Sequence, residues 1–195
     1  KKITKILLYR ILLKILDICQ NMEKIATIEV AKSKGMKVGK NFFVQGIPNF
    51  GSEPFLIEIG DHVTIAENVG FINHGGDARV TKRIERYKNG RNFGRIRIGS
   101  NSFVGKGSVI MPGVSIGSNC IIGSLSIVSS SVPDNTVYAG NPAKFIFTID
   151  EYGDKLLLNT TKYPLDLEAD RKKLEKYLIA NLPHTYKPIK NSIGK

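Results

Sequence analysis

Between residues 98 and 133 the chain falls into six consecutive blocks of six residues: I-G-S-N-S-F, V-G-K-G-S-V, I-M-P-G-V-S, I-G-S-N-C-I, I-G-S-L-S-I and V-S-S-S-V-P. Each block opens on an aliphatic residue (Ile98, Val104, Ile110, Ile116, Ile122, Val128), and four of the six follow it with glycine. The fifth place always holds a small or slim side chain (Ser102, Ser108, Val114, Cys120, Ser126, Val132). A helix turning every 3.6 residues would scatter a six-residue repeat around its circumference, so the spacing excludes helix and demands a stacked array of short units. Three blocks then make one turn of chain, with first residues pointing inward and small fifth residues near the corners. Turns are joined by parallel strand hydrogen bonds about 4.8 Å apart. The expected class is an all-β solenoid with helical appendages at both ends; the period alone does not set its hand.

The pattern starts at Val38–Asn41, is broken across 45–57 by Gly46, Pro48, Gly51 and Pro54, and resumes as I-G-D-H-V-T, I-A-E-N-V-G and F-I-N-H-G-G from Ile59 to Gly76. Residues 77–97 lack the repeat until Ile96 and Ile98 restore the register. A stacked array admits an insertion only at a corner, where the chain can leave and return without breaking the strand stack, and long loops there tend to be functional. The divisions are therefore 1–35, an N-terminal helical segment; 36–149, the solenoid with its inserted loop 77–97; and 150–195, a C-terminal helical extension. Residues 3–18 read as one amphipathic helix, Met22 to Lys34 as a second ending at Gly35, and 164–182 as a third. No uncharged apolar run reaches the roughly 18 residues of a membrane span, and no A-x-A-like cleavage site follows the first helix. That helix is expected to pack on the solenoid base or a neighbouring subunit, with peripheral contact to a membrane as the second reading.

The charge is uneven. Residues 1–40 carry ten cations against three anions, and residues 77–97 carry eight (Arg79, Lys82, Arg83, Arg86, Lys88, Arg91, Arg95, Arg97) against two. Such focused positive charge attracts phosphates. No helix-turn-helix, zinc-finger or RNA-binding signature points to nucleic acid. Two cysteines far apart suggest neither a disulfide framework nor a zinc cluster, and a reducing, cytoplasmic setting fits, with the inner face of the membrane as a second station. Cys19 and Cys120 read as small buried hydrophobes. Of the three histidines, His184 lies beside a proline near the end of the sequence, His62 takes the solvated fourth place of its block, and His74 closes the regular turn before the basic loop.

The repeat resembles the left-handed parallel β-helix acyltransferases, and Ala139–Lys144, A-G-N-P-A-K, looks like the closing turn of their acetyltransferase branch. The resemblance covers about residues 36–149. It is strongest to the bacterial capsular and lipopolysaccharide sugar O-acetyltransferases, related to the galactoside and maltose acetyltransferases. There T-H-D-G-G follows a segment like S-E-P-x-L-I-x-I-G-D. Here Ser52, Glu53, Pro54, Leu56, Ile57, Ile59, Gly60 and Asp61 match that segment, and N-H-G-G-D replaces T-H-D-G-G.

The resemblance implies left-handed coiling, acetyl-coenzyme A as donor with no metal, a saccharide acceptor (free, nucleotide-linked or lipid-linked), and a homotrimer with sites between adjacent subunits. His74 would be the general base. Imidazole can take the proton of an attacking hydroxyl near neutrality, and an activated thioester needs no covalent enzyme intermediate. The acidic residue after that histidine is missing, so Asp77 or Glu53 would orient it. Gln45 stands where relatives have an acceptor-site asparagine, and Asn73 adjoins the base. Gly105–Lys106 and Gly123–Ser124, one turn apart, would offer stacked amides to the coenzyme, and Lys144 and Arg95 would meet its phosphates. An amino-sugar or drug acetyltransferase is the rival within the fold, and a noncatalytic β-helix scaffold is the rival from another class. A zinc enzyme would need three converging histidines, which the spacing does not offer.

Overall fold

The computed structural model describes residues 2–158 and 160–182; His184 lies outside them. The chain divides into two compact units, Lys1–Gly153 and Asp154–Lys195.

The first unit is built on three sheets of short strands. One contains β1 (Lys37–Val38), β3 (Ile57–Ile59), β6 (Ile96–Ile98) and β9 (Ser115–Ile116). The second contains β2 (Phe43–Val44), β4 (Thr64–Ile65), β7 (Phe103–Val104), β10 (Ile121–Ile122), β12 (Thr136–Gly140) and β13 (Ala143–Thr148). The third contains β5 (Gly70–Phe71), β8 (Val109–Ile110) and β11 (Ile127–Val128). All pairings are parallel except β12 with β13, which turns the chain back and ends the stack. Ile98, Val104 and Ile110 pair with Ile116, Ile122 and Val128, each 18 residues on. Ile98 also pairs with Ile59, 39 residues back, so the insertion adds 21 residues to one turn without disturbing the ladder.

The side chains explain the period. The aliphatic first residues are all at most 2% exposed and form the interior with Ile59, Ile65 and Phe71. In the first five blocks the fourth residue makes the corner in the left-handed region: Asn101 (φ 56°), Gly107 (70°), Gly113 (81°), Asn119 (56°) and Leu125 (58°). Glycine and asparagine tolerate that conformation best. At one corner the asparagines form a ladder, Asn101 donating to Asn119 and Asn119 to Asn135, each at 2.8 Å. His62 occupies this row on the turn before, exposed and beside Asn41, as its place in the block predicts. The buried fifth-place serines tie turns together: Ser102 donates to the Gly117 carbonyl (3.0 Å) and accepts from the Cys120 amide (3.1 Å).

The helical boundaries differ from the sequence expectation. Residues Lys2–Ser33 form one continuous helix, α1, because no glycine or proline separates the two expected segments. It stops at Gly35 (φ 99°), where the Met36 amide reaches the Ala31 carbonyl and the Gly35 amide that of Lys32. These paired bonds satisfy the last carbonyls of the helix. Only its C-terminal part packs: Ala31 is buried and Ile28 rests on the core, whereas residues 6–22 are exposed, Cys19 among them, contrary to the buried reading of that thiol. Cys120 is buried as expected. In the basic insertion, α2 (Ala78–Thr81) is a single turn. The sequence reading passed over α3 (Ile149–Leu158), although Thr148 and Glu151 form a reciprocal cap at its start. The expected single helix over 164–182 is a 3₁₀ segment, Leu165–Ala169, followed by α4 (Arg171–Asn181). Asp170 interrupts them by capping the Lys172 and Lys173 amides. Among the described residues no helix is long and apolar enough to cross a membrane.

Candidate active site

β5 delivers the chain to the corner where the repeat would place another left-handed residue; instead the chain leaves the stack. The Gly75 amide donates to the Asn92 carbonyl (3.0 Å) and the Gly94 amide to the Asn73 carbonyl (2.9 Å), with an antiparallel bridge between His74 and Phe93. These bonds close the neck from which the basic loop hangs and fix the backbone of His74. The Phe93 ring lies against the imidazole, centroids 5.4 Å apart.

His74 Nδ1 lies 2.6 Å from Glu53 Oε2. A carboxylate can only accept, so Nδ1 carries the proton and donates it to Glu53, leaving Nε2 with a free lone pair. Glu53 is held by the 3₁₀ turn Pro54–Leu56, whose Leu56 amide donates to the Glu53 carbonyl (3.0 Å). Its side chain is 18% exposed and that of His74 is 37%, so the pair is sheltered on the carboxylate side and open on the imidazole side. Of the two carboxylates considered from sequence, Glu53 is the one in contact. Asp77 folds back over Gly75, where any Cβ would collide with its carboxylate.

Asn73 is only 1% exposed, and among the described residues neither polar atom of its side chain has a hydrogen-bond partner. It presses on Gly51 (φ 68°), where a Cβ would overlap its Oδ1. Its burial sets it behind the base, not at the surface an acceptor could reach. Arg95 is exposed, one residue past the neck.

Lys106 and Ser124 stand at a different corner, between the second and third sheets. They are stacked one turn apart: the Leu125 amide donates to the Lys106 carbonyl (2.8 Å), and the Lys106 ammonium pairs with Glu67. Lys106 and Ser124 are both exposed, and among the described residues neither amide donates a backbone hydrogen bond. The preceding glycines are explained by packing: a Cβ on Gly105 would come 2.5 Å from the Ser124 nitrogen, and one on Gly123 would come 2.7 Å from the Ala139 Cβ. On the same side, Gln45, Gly46, Glu67 and Asn68 line a groove of about 400 Å³ with Asp17, Gln20, Asn21 and Lys24 of α1. Lys144 is exposed on β13 opposite Ala139. One chain thus brings together His74, Glu53 and Phe93 at one corner, and Glu67, Lys106 and Ser124 at another. Sequence reasoning missed Phe93, whose only signal is its place at the far end of the insertion.

The chain is similar to known proteins. Residues 95–130 match the family model described as bacterial transferase hexapeptide (six repeats). Protein CapG of Staphylococcus aureus is 39% identical over 142 residues, 72% of this chain and 81% of that protein. Galactoside O-acetyltransferase of Escherichia coli (strain K12) is 37% identical over 118 residues, 58% of this chain and 54% of that enzyme, so the chain spans about half its length. A maltose O-acetyltransferase structure from Clostridium difficile 630 superposes over 67% of this chain and 88% of its own, at 22% identity and a TM-score of 0.47. The chain belongs to the bacterial transferase hexapeptide family. Within it, the chain stands among the acetyltransferases.

Proposed function

We propose that the protein is a left-handed parallel β-helix enzyme that transfers the acetyl group of acetyl-coenzyme A to a hydroxyl of a saccharide, with His74 as general base. The observation that carries the reading is the 2.6 Å contact between His74 Nδ1 and Glu53, which leaves Nε2 free at the mouth of a basic loop. Nε2 takes the proton of the sugar hydroxyl as its oxygen attacks the thioester carbonyl. The imidazolium so formed is stabilised by Glu53. The tetrahedral oxyanion collapses, the C–S bond breaks, and the imidazolium returns its proton to the departing thiolate, so the enzyme ends as it began.

The amides of Lys106 and Ser124 suit the donor, one turn apart along the stack, and an aimed amide of this kind is worth roughly 3 to 4 kcal/mol to an oxyanion. They lie at a different corner from His74, which is what a site shared between adjacent subunits of a trimer requires: the base from one, the wall from the next. Arg95, Lys144 and the loop cations would meet the coenzyme's phosphates, and Gln45 with Asn68 the acceptor. The reaction would run in the cytoplasm, where the thioester is made.

The test is mass spectrometry of a saccharide panel incubated with acetyl-coenzyme A and the protein. The reading predicts one acetyl group added to a hydroxyl. Acetylation of amines alone would move the assignment to the amino-sugar or drug class, and no consumption of acetyl-coenzyme A with any acceptor would favour the scaffold.

A further inference from the structure

Phe93 stands where the loop would be expected to carry a solvated polar residue. Arg91, Asn92 and Arg95 around it are exposed and polar, and the neck itself asks for no aromatic ring, because the two bonds that close it join backbone atoms. Those bonds, from the Gly75 amide to the Asn92 carbonyl and from the Gly94 amide to the Asn73 carbonyl, flank His74 and Phe93 without joining them. They make the two residues a non-hydrogen-bonded antiparallel pair, the arrangement that brings opposite side chains closest and sets them on one face. The backbone therefore holds a phenyl ring beside the base, with 5.4 Å between centroids and 37° between planes. The ring is nevertheless 58% exposed, so burial in the core does not account for it. Part of it shields the imidazole, and the rest is an apolar surface open to solvent.

We infer that Phe93 is the platform on which the acceptor sits: the exposed part of its ring takes the C–H face of a pyranose, and a hydroxyl at the edge of that sugar meets His74. The inference rests on the acetyl-transfer reading and names the acceptor's chemistry. A pyranose directs most of its hydroxyls outward around the ring and leaves C–H bonds on its faces. Those hydrogens carry partial positive charge and meet the negative face of an aromatic ring, while both surfaces leave water. The 5.4 Å between the two centroids is about the span of one sugar ring, so a pyranose seated on Phe93 carries an edge hydroxyl to the imidazole. Arg91 does not compete for the ring, since its guanidinium is turned back onto the Lys88 and Gly90 carbonyls. The class selected is a cyclic sugar with one face free of axial hydroxyls. An open-chain polyol offers the same hydroxyls but no face to stack.

The chain has no tryptophan, so Phe93→Trp gives it a single emitter at the proposed platform. Titrated with the methyl pyranosides of glucose, galactose, mannose and N-acetylglucosamine, the full-length variant should show a saturable shift of emission with at least one of them and none with glucitol. Kinetics with the acceptor that the wild type acetylates supply the second arm. Phe93→Leu keeps apolar bulk against the imidazole but has no aromatic face, so KM for the acceptor should rise about ten-fold while kcat and KM for acetyl-coenzyme A hold within about two-fold, and Phe93→Tyr should restore it. A loss confined to kcat would make Phe93 a positioning residue for His74, and a rise in KM for acetyl-coenzyme A would put the donor there. Either outcome, unchanged constants in Phe93→Leu, or no pyranoside response in Phe93→Trp overturns the proposal. The two readings fail separately: wild-type protein that acetylates no saccharide refutes the transfer reading, whereas the emission of Phe93→Trp reports sugar binding without turnover.

Discussion

Replacing Glu53 probes how much of the base's competence comes from its carboxylate. The bond from His74 Nδ1 is 2.6 Å long, and hydrogen bonds to charged groups contribute about 1.5–3 kcal/mol. The imidazole is 37% exposed, which screens the pair and favours the lower end of that range. Since about 1.4 kcal/mol is ten-fold in rate, Glu53→Gln, which keeps an acceptor but removes the charge, should lower kcat about ten-fold. Glu53→Ala also frees the ring to turn and change tautomer, and should lower kcat about 100-fold. The loss belongs to kcat, because the charge is wanted once the imidazolium forms; KM for acetyl-coenzyme A should stay within about two-fold. Initial rates of thiol release, read with a disulfide chromophore, give both constants, and the melting temperature checks the fold. Both variants at wild-type kcat would refute the reasoning and leave the contact a packing feature.

Three further outcomes follow. Gly51→Ala puts a Cβ against Asn73 at φ 68° and should destabilise the protein by more than about 2 kcal/mol in chemical denaturation; an unchanged midpoint would show that the corner can relax. Neutralising Arg79, Lys82, Arg83, Arg86, Lys88 and Arg91 together should raise KM for acetyl-coenzyme A or the acceptor about ten-fold at low salt, with the difference shrinking as salt is added; unchanged values for both would remove the loop from binding. Hydrogen bonds from the Thr148 amide and then its hydroxyl hold Glu151 below the ordinary carboxylate range. Because the folded-state value is the lower one, the cap's contribution is complete above the ordinary range and is lost as pH falls through the folded value. Amide exchange at the start of α3 should therefore speed up in acid, and Glu151→Gln should abolish that dependence; exchange that ignores pH once corrected for its intrinsic rate would contradict it.

The turns of the stack were legible because one residue class recurs at each place in the block: Ile98, Ile116 and their kin face inward, and Asn101 and Asn119 turn the corners. The insertion was legible as a loss of period. The partner of His74 was not: Glu53 is 21 residues away, and only folding over the Pro54–Leu56 turn brings it to the ring, while Asp77, nearer in sequence, points back at its own glycine. Helix boundaries failed where local capping decided them. Gln20 and Asn21 look like a break in α1 yet lack the backbone to make one, and Asp170 stops a helix that composition alone would continue. The exposed faces of α1 were invisible for a different reason, since periodicity shows which residues share a side but not which side meets the core.

The account rests on His74 taking the proton, and the turnover of His74→Ala with acetyl-coenzyme A and the identified saccharide tests it most directly. A general base contributes about 10²- to 10⁴-fold, so kcat should fall by that factor while the melting temperature and the affinity for acetyl-coenzyme A hold. Undiminished turnover in a folded His74→Ala protein would contradict the assignment.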